Sequence, residues 1–141
     1  MGGIILDTNV LSELMRVQPD PTVVQWFGRQ SAVTFYVTAI TKSEILLGIA
    51  QLPAGKRRDT LANAADKMFQ EDFCGNCLSF DESCSGFYAS IVANRRRSGF
   101  SITTEDAQIA AIALAANMTL LTNNVREFER VKGLKVENWV G

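Results

Sequence analysis

The chain has 141 residues, of which 47% are hydrophobic and 21% are charged, and its formal net charge is −1. This length and composition predict a single globular domain, and the charge argues against binding nucleic acid through a basic field over the whole surface. The chain contains no histidine, which excludes histidine acid–base catalysis, Ser-His-Asp and Cys-His nucleophiles, and histidine-ligated zinc.

Strand-like and helix-like segments alternate from the N-terminus onwards. The apolar run "GIIL" predicts a strand over residues 3–6, and a short helix is expected over about 9–16. Asp20 and Pro21 are typical of a helix start, so a second helix follows from there. The β-branched and aromatic run "VTFYVT" predicts a second strand at 33–38.

The rest of the chain continues the alternation. The predicted elements are helices at 41–52 and 57–72, a short strand "CLSF" at 77–80, a helix from Asp81 to Gly99, an apolar helix at 104–117, a strand at 118–122, a short helix at 126–132 and an edge strand at 134–139. This order predicts a three-layer α/β/α sandwich with a mainly parallel central sheet, in one domain spanning residues 1–141.

No apolar run reaches the ~18 residues of a membrane span, and no basic region leads an apolar stretch at the N-terminus. We therefore expect a cytoplasmic protein that does not engage a membrane. The three cysteines, Cys74, Cys77 and Cys84, are one ligand short of a closed zinc site when no imidazole is present. We interpret all three as small apolar fillers.

Acidic and amide side chains fall where predicted strands end or the following helices begin. Asp7 ends the first strand, Glu44 and Asp106 lie in the first turns of helices, and Asn124 follows the fourth strand. Because ligands of parallel α/β sheets bind at the carboxyl ends of the strands, these positions could converge on one crevice.

Helix capping is the alternative interpretation of each acid. Thr41 and Glu44 have the spacing of a capping box, Thr103 and Asp106 can be interpreted in the same way, and Asp7 could cap the helix after it. A cluster of acids would instead repel itself unless a cation lay among them. Oxygen ligands favour Mg²⁺ or Mn²⁺, which would support hydrolysis of phosphodiesters by metal-activated water. Products with 5′-phosphate and 3′-hydroxyl ends are then expected.

Four stretches in this order, "LDTNVLSEL", "TKSEILLG", "TEDAQIAAIA" and "LLTNNVREF", resemble the PIN-domain ribonucleases, and most closely the VapC-type and FitB-like toxins of type II toxin–antitoxin systems. The resemblance covers nearly the whole chain. It implies a Mg²⁺-dependent endoribonuclease toxin whose functional residues are metal-binding acids, a fourth polar position and residues that shape the site. These are Asp7, Glu44 and Asp106 as ligands, Asn124 at the fourth position, and Thr8, Asn9 and Thr122 beside them.

The chain departs from the family pattern at Asn123, where the family has an arginine, and Glu127 matches a further family acid at the rim. The resemblance also implies an RNA substrate, a homodimer, and a toxin–antitoxin hetero-oligomer with a VapB-type antitoxin that reaches into the acidic site. Candidate phosphate contacts are Arg95, Arg96, Arg97 and Arg126, with Lys56, Arg57 and Arg58 as a second basic run. Trp26, Phe27 and Phe69 could belong to partner surfaces or to the core.

Two rival functions stay open. Asp81 ends the third predicted strand, where the phospho-acceptor of a signalling α/β domain would lie, although such a site needs two acids after the first strand and only Asp7 is there. A non-catalytic binding module, such as half of a DNA-binding complex, is the other alternative. The chain shows no evident helix-turn-helix or basic arm of its own.

Overall fold

The computed structural model describes residues 2–139, so Met1, Val140 and Gly141 of the predicted domain lie outside the described residues. The strands are β1 (Gly2–Leu6), β2 (Val33–Thr38), β3 (Cys77–Leu78), β4 (Thr119–Leu121) and β5 (Val136–Glu137). The helices are α1 (Thr8–Leu14), α2 (Pro21–Gly28), α3 (Ala39–Ala50), α4 (Lys56–Lys67), α5 (Ser85–Ser98), α6 (Thr104–Ala116) and α7 (Val125–Phe128). A π-helical turn (Met68–Asp72) extends α4, and a 3₁₀ turn (Glu82–Cys84) precedes α5.

The strands form one parallel sheet in the order β3-β2-β1-β4-β5. In the centre, Ile4 pairs with Phe35 of β2 on one side, and Ile5 pairs with Leu120 of β4 on the other. The chain thus leaves β1 in one direction to form β2 and β3 and in the other to form β4 and β5. The carboxyl ends of β1 and β4 therefore flank the topological switch point of the sheet, where ligands of such sheets bind.

Successive residues of β1 feed two cores on opposite faces of the sheet, as the period of a strand requires. Ile4 and Leu6 pack with the buried residues of α1 to α4, whereas Ile5 packs with those of α5, α6 and α7. Helix α6 is buried along most of its length, as its apolar sequence predicts. The three-layer α/β/α sandwich is thereby confirmed.

Several boundaries differ from the prediction. Helix α3 begins at Ala39 instead of residue 41, α4 gives way to the π-helical turn after Lys67, and α7 ends at Phe128. The strands β3 and β5 have two residues each. Both lie at the edges of the sheet, where a strand pairs on one side only and needs little length.

Trp26 and Phe69 belong to the core, with exposed fractions of 7% each, and Phe27 packs against Phe35 with ring centroids 5.0 Å apart. The core interpretation of these aromatic residues is therefore right. Cys84 is also buried, but Cys74 and Cys77 are exposed free thiols, so the prediction that they fill apolar space is wrong. Within residues 2–139, no helix combines the length and the apolar character needed to cross a membrane.

Candidate active site

Asp7 lies at the carboxyl end of β1, where its backbone is extended and its side chain is only 4% exposed. One carboxylate oxygen accepts the backbone N–H of Thr8 at 2.8 Å. The other accepts the hydroxyl of Thr122 at 2.8 Å and the amide of Asn9 at 3.1 Å. Burial raises the pKa of Asp7, and these three hydrogen bonds oppose the rise. Asp7 is thus the N-cap residue of α1 and is at the same time tied to the end of β4.

Thr122 connects the ends of the two central strands. It is fully buried, and its hydroxyl donates to Asp7 while accepting from the Asn9 amide at 3.2 Å and from the Asn124 backbone N–H at 2.9 Å. The Asn9 side-chain oxygen in turn accepts the backbone N–H of Asn123 at 3.3 Å. The predicted site-shaping residues therefore hold the loops after β1 and β4 in one arrangement.

Glu44 points to the same edge of the sheet from α3. Its carboxylate accepts the Thr8 hydroxyl at 2.6 Å, and the hydroxyls of Thr8 and Thr41 lie 3.0 Å apart. The capping-box interpretation of Glu44 is wrong, because α3 is capped by Thr38, whose hydroxyl accepts the backbone N–H of Thr41 at 3.0 Å. Glu44 is the sixth residue of the helix, beyond the reach of its N-terminus.

Asp106 approaches from the opposite helical layer, in the first turn of α6. Thr103 caps this helix by accepting the Asp106 backbone N–H at 3.1 Å, so the capping interpretation holds for the Asp106 backbone. The pKa of the Asp106 carboxyl is raised to about 6, first by burial and then by the charge of Asp7, with smaller contributions from Glu127 and Glu44. The charges of three acids from separate elements therefore act on the Asp106 carboxyl at this edge.

Asn124 is exposed beside this cluster, and its backbone fixes the turn into α7 through the Thr122 hydroxyl. Glu127 lies one turn further on, where its carboxylate forms an ion pair with Arg95 at 2.9 Å. A cleft of about 390 Å³ opens next to the acids, and its lining includes Asn124, Arg126 and Glu127.

Arg95 differs from its neighbours Arg96 and Arg97 because it is buried, with 6% of its surface exposed. Its guanidinium donates to the backbone oxygens of Phe100 at 3.0 Å and Glu127 at 2.8 Å, as well as to the Glu127 carboxylate. Arg95 is used within the fold, which leaves the expected phosphate contacts to the exposed arginines. Its position four residues after the buried Ile91, on the inner side of α5, is the sequence signal for this role.

The donor chemistry of the cluster suits a hard divalent cation, because carboxylate, hydroxyl and amide oxygens surround it and neither imidazole nor thiolate does. As the side chains stand, residues 2–139 contain no group of three Asp, Glu or Cys side chains placed to hold one ion between them. Mg²⁺ fits such a loose arrangement, because it usually keeps several of its waters and does not require a cage built entirely of protein ligands. Burial and, after it, repulsion from the neighbouring acids raise the pKa of Asp106, and a bound cation would relieve the repulsion.

A groove of about 780 Å³ leads away from Glu44 and Thr8 between α1, α3 and α4. Apolar side chains such as Ile45, Ile49 and Leu61 line most of it, and Arg57 lies at its edge. Gly48 also lines the groove, and a Cβ atom at that position would have no atom within 4 Å. Close packing therefore does not require a glycine at this position, and a larger side chain would extend into the groove.

Comparisons with known proteins agree with this geometry. Residues 4–134 match the family described as PIN domain. The chain is 42% identical to the plasmid stability protein StbB of Pseudomonas syringae pv. tomato and 38% identical to the VapC ribonuclease Y4jK of Sinorhizobium fredii. Both alignments cover 96% of this chain and 96% of the relative. It is also 36% identical to Toxin FitB of Neisseria gonorrhoeae over 89% of this chain and 90% of that protein.

Solved structures resemble the fold closely. A chain from the structure of FitAB bound to the IR36 DNA fragment superposes with a TM-score of 0.87 at 35% identity, covering 98% of this chain and 96% of that one. A chain from VapBC2 of Rickettsia felis, bound to a DNA fragment from its promoter, gives a TM-score of 0.82 at 25% identity, with 97% and 98% covered. Both neighbours are chains of complexes that were solved bound to DNA.

Proposed function

The chain belongs to the PIN-domain family, and from this premise we propose that it is a divalent-metal-dependent endoribonuclease and the toxin of a toxin–antitoxin pair. The observation that carries the proposal is the approach of Asp7, Glu44 and Glu127 to Asp106 at the switch point of the sheet, where burial first, and then the charges of these three acids, raise the pKa of Asp106. The ribonuclease and toxin names of its relatives support the same activity.

We assign Asp7, Glu44 and Asp106 as the ligands of Mg²⁺ or Mn²⁺. A bound ion of this kind lowers the pKa of a water molecule and neutralises charge on a phosphodiester, which makes hydrolysis possible without histidine. Thr122 and Asn9 keep the Asp7 carboxylate in one orientation, and the Thr8 hydroxyl does the same for Glu44. Asn124 is neutral, and we assign it to positioning the substrate at the mouth of the site.

Cleavage of total bacterial RNA tests this function. The purified chain should produce discrete fragments with 5′-phosphate and 3′-hydroxyl ends in Mg²⁺ and none in a chelator, and Asp7→Asn should abolish them. Asp81→Asn is the matched control, because Asp81 is an exposed acid outside the cluster. Fragments that persist unchanged in Asp7→Asn, or the absence of cleavage with any divalent metal, would contradict the proposal.

The signalling alternative is weaker, because Asp81 is engaged as the cap of the 3₁₀ turn before α5. Its carboxylate accepts the backbone N–H of Ser83 at 3.0 Å and also the Ser83 hydroxyl, and these bonds lower its pKa. The acids that act on Asp106 do not include Asp81. Phosphorylation of Asp81 by acetyl phosphate would favour the signalling alternative, and DNA binding by the isolated chain would favour a binding module.

We also propose that the chain forms a homodimer and that a VapB-type antitoxin occupies the groove between α1, α3 and α4. The surface of the groove is mostly apolar, and its lining includes Glu44 and Thr8, so an amphipathic partner segment could lie in it and place a cationic side chain at the acids. FitAB and VapBC2, by their names, are complexes of this two-component kind.

Filling the groove tests the antitoxin site. Gly48→Leu adds a side chain where a Cβ meets nothing, so we expect it to fold and to cleave RNA but to lose capture by the co-expressed antitoxin. Gly86→Leu is the control. Gly86 lies in α5, outside the groove, and a Cβ atom at that position also has no atom within 4 Å. Equal capture by both variants would place the antitoxin elsewhere.

A further inference from the structure

One wall of the cleft beside the acids pairs an exposed aromatic ring with a guanidinium group. Phe100 is 47% exposed, and the guanidinium of Arg130 lies over its ring at 3.9 Å from the centroid. Both residues line the cleft together with Asn124, Arg126 and Glu127. An isolated exposed aromatic residue needs no explanation, but here the ring is paired with a planar cation inside a concave surface.

The backbone under Phe100 is firmly held. Gly99 ends α5 in the left-handed conformation with φ 77°, and the Phe100 N–H donates to the Arg95 carbonyl at 3.0 Å. The Arg95 side chain returns a bond to the Phe100 carbonyl at 3.0 Å and reaches the Ser101 carbonyl at 3.5 Å. The buried guanidinium of Arg95 therefore fixes the platform from which the Phe100 ring projects.

The charge of the cleft suits a polyanion. Glu127 is the one acid among the residues that line it, and Arg95 forms an ion pair with this carboxylate. Among the residues that the structure describes, neither Arg126 nor Arg130 forms an ion pair with a carboxylate. Both guanidinium groups are thus available to phosphate oxygens, which arginine binds in a bidentate manner.

The position of the cleft ties it to the acids. Asn124 and Glu127 line it, while Asn124 is bonded to Thr122 of the acidic site and the charge of Glu127 acts on Asp106. A chain of nucleotides crossing the acids would continue into this cleft. Proteins hold unpaired nucleotides by stacking bases on aromatic rings and guanidinium planes while cations bind the phosphates.

We propose that this cleft is the subsite for an unpaired ribonucleotide next to the cleaved bond, with the Phe100–Arg130 pair stacking the base and Arg126 binding the phosphate. The inference rests on the proposed ribonuclease function and deepens it, because it assigns Phe100, Arg130 and Arg126 to holding the nucleotide beside the cleaved bond. The exposed ring is the base platform, and Arg130, stacked against it, contributes both a planar face and a charge.

Fluorescence anisotropy with a labelled single-stranded oligoribonucleotide, in a chelator to prevent cleavage, tests this subsite. Phe100→Ala should weaken binding about tenfold, as loss of one stacked base does, and Phe100→Tyr should restore it. Arg130→Lys, which keeps the charge but loses the plane, should weaken binding several-fold. Arg29→Ala, an exposed arginine on the opposite face of the sheet, should bind like the wild type.

A duplex of the same sequence provides the second readout, because its bases are not free to stack. Phe100→Ala should leave duplex binding and the melting temperature unchanged, which a purely structural role for the ring would not allow. Wild-type affinity of Phe100→Ala and Arg130→Lys for the single strand would overturn the subsite, as would equal losses for single strand and duplex. Cleavage by the wild type in Mg²⁺ separates this failure from failure of the proposed function.

Discussion

Thr122 uses one hydroxyl group for three hydrogen bonds at the end of β4. It donates to Asp7 and accepts from Asn9 and Asn124 without any contact with solvent. A valine of the same shape could fill the space but could neither donate nor accept. The hydroxyl therefore decides how a buried carboxylate is oriented and how strongly its negative charge is stabilised.

Thr122→Val should lower the free energy of unfolding by about 1–3 kcal/mol, because buried polar groups lose their partner. RNA cleavage should fall more than tenfold, since the Asp7 carboxylate loses its strongest orienting bond. Urea unfolding and a cleavage assay measure the two effects. Thr119→Val is the control, because Thr119 is the first residue of β4 and lies outside the site. Equal effects of both variants on stability and cleavage would contradict this account.

Asp106 gives the metal-free protein a specific pH dependence. Its pKa is raised from 3.8 to about 6 by burial and by the charge of Asp7. Between these values the folded chain holds a proton that the unfolded chain has released. The contribution of Asp106 to stability is therefore complete below the lower value and is lost as the pH rises through the higher one.

Asp106→Asn should consequently stabilise the metal-free chain near pH 7.5 by about 1 kcal/mol, a figure reduced for screening by water, and should have little effect near pH 4. Melting temperatures in a chelator at the two pH values measure the difference. A variant that is less stable than the wild type near pH 7.5 would show that the raised pKa is not a property of the folded chain.

At the scale of elements, the termini of α3 and α5 decide what the sequence could predict. The existence of both helices follows from their patterns, but Thr38 and Thr41 are both acceptable caps for α3, and only the packed structure selects Thr38. The role of Glu44 depends on that choice. Likewise, a run of three arginines does not show that Arg95 turns inward, because two of its four acceptors lie in the loop after α5 and the other two belong to Glu127 of α7.

Arg95 joins α5 to α7 and to the loop before α6. Arg95→Met should lower the free energy of unfolding by about 2–3 kcal/mol, because the Glu127 carboxylate and three backbone oxygens lose a buried cationic partner. It should also reduce RNA cleavage, since Glu127 and the Phe100 platform are no longer fixed. Arg96→Met, at an exposed position, is the control, and equal stability of the two variants in urea would contradict the role of Arg95.

At the scale of the whole molecule, the order of elements predicted the sandwich. The position of polar residues directly after strand ends indicated the edge of the sheet at which the candidate site lies. The strand order could not be deduced from periodicity, although it is what places Asp7 between β2 and β4 at the switch point. The sequence pattern also does not predict the mostly apolar groove beside Glu44 or the arginine-lined cleft beside Asp106. They depend on distances between side chains of separate elements.

The site therefore lies between two surfaces of different chemistry. The groove on the α1–α4 side is apolar and suits a protein segment, whereas the cleft on the α5–α7 side is cationic and suits RNA. Substrate and antitoxin would approach the acids from opposite layers of the sandwich, and they would compete only at the acids themselves.

Thermal unfolding with and without Mg²⁺ tests most directly whether the acids at the sheet edge form one cation site. Mg²⁺ in large excess over its dissociation constant should raise the melting temperature of the wild type by several degrees. It should raise those of Glu44→Gln and Asp106→Asn far less, and that of Asp81→Asn as much as the wild type. No shift in the wild type, or the same shift in every variant, would contradict the assignment of Asp7, Glu44 and Asp106 as metal ligands.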